Sequence, residues 1–210
     1  MAREMVLGVF VGGRRTVADI RSVMHFRRAQ EMLRDSTTVS TDLRALQLHT
    51  ASLSAGRPVS EVAAAVDEWM ETRPMRFLGQ CMLPGLIEFL ADAKRRRSLL
   101  AVVSDYPSAQ KLRALGIDGT FDHVISAQDP GVGRFKPHPA SILAALDRCG
   151  VPPAEAVMIG DRDIDMLAAR TAGVRGFKIG SRASREYGQA VATFADLQAV
   201  LWEHHFTMEP

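Results

Sequence analysis

Three polar clusters in the second half of the chain are of the types needed to hold an anion and its counter-ion. Ser104 and Asp105 end the apolar run 99–103, Lys136 precedes Pro137 in a glycine-rich loop, and Gly160-Asp161-Arg162-Asp163-Ile164-Asp165 follows the apolar run 156–159. A hydroxyl donates to an anionic oxygen and an ammonium supplies a point charge. A carboxylate such as that of Asp161 can hold Mg²⁺, a hard cation that takes oxygen ligands and keeps several waters. Asp165 lies one helical turn beyond Asp161 and can brace the same site from behind. Each group also has a plainer role: Asp161 as a helix cap, Lys136 as a solvated loop lysine, Ser104 as a strand-end hydroxyl. What favours the joint reading is order. Each cluster stands at or after the end of an apolar run, and an amphipathic segment separates successive runs.

Those groups need elements that bring them to one place. From Leu83 onward, short apolar runs alternate with amphipathic segments, the pattern of strand–helix–strand units around a parallel sheet. The spacing predicts strands over 99–104, 123–126, 156–160 and 176–179. Helices fall over 108–115, 139–149, 164–172 and 194–202. A further helix, opened by Leu83-Pro84-Gly85, buries Leu86, Phe89, Leu90 and Ala93 and is closed by Lys94 to Arg97. Four bases suit a helix C-terminus, and no aromatic interleaving or second basic cluster makes them a nucleic-acid patch. In open parallel sheets, ligands bind beyond the carboxyl ends of the strands, where all three clusters lie. The first half reads as helical: 1–35 on propensity, a Ser/Thr-rich loop over 35–40, a helix over 41–53, and one from Ser60 whose stripe is Val62, Ala65, Val66 and Trp69. The expected class is α/β, with a helical region over 1–82 and a sheet region over 83–210.

Composition narrows the function classes. The 210 residues are 47% hydrophobic and 24% charged with a net charge of +2, a globular balance with no bulk argument for nucleic acid or an acidic membrane. The longest apolar stretch, Met5 to Gly13, is well short of the roughly 20 residues that span a bilayer. It also lacks the cleavage pattern of a signal peptide, so a cytoplasmic protein is expected. Cys81 and Cys149 have no metal-ligand spacing and read as reduced, buried thiols.

The ordered set Ser104, Lys136-Pro137 and Gly160-Asp161 to Asp165 resembles the second, third and fourth motifs of the haloacid dehalogenase superfamily. Stretches such as Val103 to Pro107 and Gly133 to Pro139 are similar to its small-molecule phosphatase branches. The resemblance implies a Rossmann-like parallel core with a helical cap, and Mg²⁺-dependent phosphoryl transfer on a small phosphorylated molecule. In that scheme Ser104 and Lys136 are catalytic supports, Ser104, Asp105 and Lys136 bind phosphate, and Asp161 and Asp165 serve the metal.

The family's first motif, an apolar strand ending in Asp-x-Asp-Gly-Thr, supplies its nucleophile and general acid, and it is absent here. Asp118-Gly119-Thr120 imitates part of it but follows a helix. Either Met5 to Val11 is a remnant first strand, with Val11 and Gly13 where the aspartates belong, or 1–35 is cap and the strand was encoded upstream or lost. The second is favoured, because Arg21 to Arg34 reads as cap helix. On either view the chain is expected to be inactive; the alternative is a non-catalytic phosphate- and metal-binding regulatory protein. The family's first strand lies centrally, so its neighbours would be left unpaired unless Met5 to Val11 or another chain, such as a homodimer partner, covers them.

Overall fold

The computed structural model describes residues 2–36, 40–180 and 188–203. Its first part is helical. Helices α1 (Ala2–Asp35), α2 (Leu43–Ala55) and α3 (Val59–Val66) bury Phe26, Ala29, Leu48, Ala51, Val62 and Val66 in one cluster. Asp42 caps α2 by accepting from the Ala45 N–H at 2.8 Å, and Gly56 ends it with a φ of 62° that suits a residue without Cβ. α3 starts after Pro58, one residue ahead of the expected Ser60, because proline presets the φ of a helix entry. The chain then widens into a π-helical stretch, Asp67–Thr72, and tightens into a 3₁₀ stretch, Arg73–Cys81. Trp69 remains buried in the stripe read from the sequence. The loop expected over 35–40 lies partly outside the described residues.

One disfavoured alternative and one expectation are corrected here. Met5 to Val11 lies within α1 and forms no strand. A helix satisfies its own backbone groups, whereas a strand needs a partner to do so. Cys81 is exposed and Cys149 half-buried, both free; each is the last residue of its helical segment, Arg73–Cys81 and Ala140–Cys149.

The second part carries the sheet. In chain order its elements are α4 (Leu86–Arg95), β1 (Ala101–Ser104), α5 (Ala109–Ala114), β2 (His123–Ser126), α6 (Ala140–Cys149), β3 (Val157–Gly160), α7 (Asp163–Thr171), β4 (Arg175–Ile179), β5 (Gln189–Val191) and α8 (Phe194–Gln198). All strand pairs are parallel, in two ladders: β1 with β2, and β3–β4–β5. β5 is the strand that hydrophobic patterning missed; three residues are too few to show alternation.

The two ladders share one layer. On one face Val102, Val124, Val157 and Ile159 pack with Phe177, Ile179 and Val191 beneath α4 and α8. On the other, Val103 and Met158 pack with Ile142 and Leu146 of α6 and Ala168 and Ala169 of α7. Yet β1 and β3, the inner strands, do not bond to each other, and every residue of both is only half-buried. Strands covered on both faces ordinarily form the most buried part of such a sheet. The layer therefore has a slot between β1 and β3. Carbonyl parity gives its direction: Leu100 and Ser104 oxygens accept from the β2 side, so the Val103 oxygen, of opposite parity, faces the slot.

Candidate active site

The mouth of the slot is built from the ends of β1 and β3. Ser104 ends β1, and its Oγ accepts from the Tyr106 N–H at 3.3 Å, leaving the hydroxyl proton free to donate. Lys136 comes from the loop after β2. Its side chain, 7% exposed, places Nζ 2.6 Å from Asp165 Oδ1 and 3.4 Å from the Val103 oxygen. An ammonium has three donors, so one remains for a ligand.

Asp165 projects from the first turn of α7 and is 4% exposed; its Oδ2 accepts from the Arg162 N–H at 3.2 Å. That contact ties the start of α7 to the end of β3. A Cβ at Gly160 would lie 2.7 Å from the Asp165 Cβ, so this packing demands glycine at the strand end. Asp161, between them, is exposed and has no hydrogen bond or ion pair among the described residues. It does not cap α7, whose cap position is Arg162. Lys136 and Asp165 meet directly, while Ser104 and Asp161 stand at or just past the ends of β1 and β3.

Asp105 differs from expectation. Its carboxylate is buried and already saturated by donors: the Lys136 N–H at 3.1 Å on Oδ1, and Gln30 Nε2 at 3.0 Å and Arg34 Nη2 at 2.8 Å on Oδ2. Arg162 approaches the same oxygen at 3.5 Å. An anion meeting that carboxylate would be repelled, so the carboxylate organises the loop.

Gln30, Arg34 and Arg162 were not legible as site residues. Nor was the pair Lys178–Asp163, whose charged atoms lie 2.6 Å apart where β4 faces the start of α7. Tyr106, whose hydroxyl donates to Gln30 Oε1 at 2.7 Å, has its pKa pushed up to about 12, chiefly by burial. His138 accepts from the Ala140 N–H at 3.2 Å through Nδ1, and burial and then Arg134 lower its pKa, which favours its neutral form.

The donor set suits Mg²⁺ as a partial site. Asp165 is neutralised by Lys136, while Asp161 offers a free carboxylate, and Mg²⁺ commonly binds through one or two carboxylates with water and phosphate oxygens completing its shell. Among the described residues no group of three ligating side chains forms a cage.

The sequence model of haloacid dehalogenase-like hydrolases matches residues 46–173. The chain belongs to that family. Among curated relatives, the validoxylamine A 7'-phosphate phosphatase of Streptomyces hygroscopicus subsp. limoneus is 30% identical over 162 residues, covering 74% of this chain and 73% of the relative. The phosphoglycolate phosphatase of Pasteurella multocida is 34% identical over 95 residues, covering 44% of this chain and 42% of the relative. This chain therefore spans less than half the length of that phosphatase. The fold agrees with family members of known structure. A β-phosphoglucomutase from Clostridium difficile superposes with a TM-score of 0.60 at 17% identity, covering 86% of each chain. A 2-haloacid dehalogenase from Pseudomonas syringae pv. Tomato superposes with a TM-score of 0.56 at 25% identity, covering 85% of this chain and 80% of the other. Among the described residues no helix is long and apolar enough to cross a membrane.

Proposed function

We propose that this chain is the phosphate-holding scaffold of a Mg²⁺-dependent phosphatase-type hydrolase for a small phosphorylated molecule, and that it does not turn substrate over by itself. The observation that carries the reading is the Lys136 ammonium, held at the slot mouth between Asp165 and the Val103 carbonyl. The relatives' names, both phosphatases of small phosphorylated compounds, support the substrate class.

In this reading the Ser104 hydroxyl and the free donor of Lys136 hold phosphoryl oxygens, and Asp165 keeps the ammonium aimed. Asp161 holds Mg²⁺, which when bound offsets negative charge on the phosphoryl group. Residues 1–82 act as a cap and 83–210 as the core. A nucleophilic carboxylate would enter with a strand in the slot, since among the described residues Asp105 and Asp165 are held in ion pairs and Asp161 serves the metal.

Thermal unfolding with inorganic phosphate and Mg²⁺ tests this. A ligand at a hundredfold excess over its Kd should raise Tm by about 5–10 °C. S104A should weaken the phosphate shift, and D161N should abolish the increment that Mg²⁺ adds. No shift in the wild type, or an equal Mg²⁺ increment in D161N, would refute the site. Release of phosphate from an aryl phosphate by the wild-type chain alone would refute its inactivity. A non-catalytic phosphate-binding regulator would show the same shifts and differs in its response to a restored strand.

A further inference from the structure

The main chain of Lys136 is gripped on both sides. Its N–H donates to Asp105 Oδ1 at 3.1 Å, and its carbonyl accepts from Arg34 Nη1 at 2.5 Å. The same guanidinium closes the ring by donating from Nη2 to Asp105 Oδ2 at 2.8 Å. Both the Arg34 and Asp105 side chains are 5% exposed. One turn earlier on α1, Gln30 donates to the same carboxylate, and one turn before that Phe26 stacks on Tyr106 with centroids 6.0 Å apart. Tyr106 in turn meets Phe135, the buried residue preceding Lys136, at 6.1 Å.

We propose that Arg34 is the positioning residue for Lys136, so that the aim of the ammonium depends on α1 being docked over the sheet. Lysine is a point charge on a flexible stem, and its tip is placed accurately only if its backbone is fixed. Arg34 does not reach the mouth of the slot; it acts through Lys136. The planar fork is what allows one side chain to serve both the carbonyl and the carboxylate, a task a lysine in its place cannot repeat. The inference rests on the proposed function only for what the ammonium then holds.

Residue-resolved reductive methylation of the folded chain reads it out. Lys136 can be modified only when its ammonium leaves Asp165. R34K and R34Q should raise the methylation rate at Lys136 about tenfold, the ratio that losing one charge-assisted hydrogen bond corresponds to. Lys178 and Lys94 in the same samples should not change. R57A is the control, since Arg57 pairs with Asp19 and Glu61 inside the helical part and touches no sheet residue. It should lower Tm and leave Lys136 protected. R34K retains the charge, so it decides the matter if R34Q fails to fold. An unchanged Lys136 rate in folded R34K, or an equal rise in R57A, would overturn the proposal. Phosphate with Mg²⁺ should slow wild-type labelling at Lys136; if it does not, the phosphate site fails while the role of Arg34 stands on the variants alone.

Discussion

Asp165 has Lys136 as the sole partner of its Oδ1 among the described residues, and a single backbone N–H on the other oxygen. Removing one member of a buried ion pair leaves the other charge desolvated, at a cost of about 3–5 kcal/mol. K136M should therefore lower unfolding stability in urea by about that amount, and K136M/D165N should recover most of it. A K136M chain within about 1 kcal/mol of wild type would mean that the pair is solvated. Lys136, Asp161 and Asp165 could be singled out as candidates because each sits in a short local motif. Arg34 and Gln30 were not: their partner Asp105 lies more than seventy positions away, and nothing local to α1 names it. Asp105 was legible as part of the site but not in its task, because a sequence shows a carboxylate without showing which donors have already reached it.

Strand β1 is fastened at its start by Asp122, which accepts from the Leu100 N–H at 2.8 Å and from Lys94 Nζ at 2.9 and 2.8 Å. The Leu100 N–H first, and then Lys94, hold its carboxyl below the usual value of 3.8. A depressed folded-state pKa stabilises above the unfolded value and is lost as pH falls through the folded one. D122N should thus cost about 1 kcal/mol at pH 7, a difference that shrinks below about pH 4 and vanishes once the wild-type carboxyl is protonated. Equal differences at pH 7 and in acid would show that charge plays no part. Strands β1 to β4 were readable as apolar runs, and the helices between them as amphipathic periods. The fate of Met5 to Val11 was not, since a short apolar run fits a strand or a helix equally well. With α1 helical throughout, Val11 stands about 35 Å along the axis from Arg34, too far to enter the slot without unwinding the helix.

At the scale of the molecule, two ladders share both apolar layers yet remain unjoined along β1 and β3. A separate apolar peptide ending in Asp-x-Asp-Gly-Thr, co-expressed with the chain, should pair with both edges and raise Tm by at least about 4 °C. It should also confer Mg²⁺-dependent phosphate release from an aryl phosphate. Greater stability without turnover would favour the regulatory reading, and neither gain would sink the slot as a strand site. Motif order made the α/β architecture readable from the chain, and the absent first motif raised the prospect of unpaired neighbours, but neither told whether Met5 to Val11 would fill the gap. Lys136 currently rests on the outward carbonyl of Val103, the very group an incoming strand would claim. In the proposed reading, completing the sheet and unsheathing the cation become a single event.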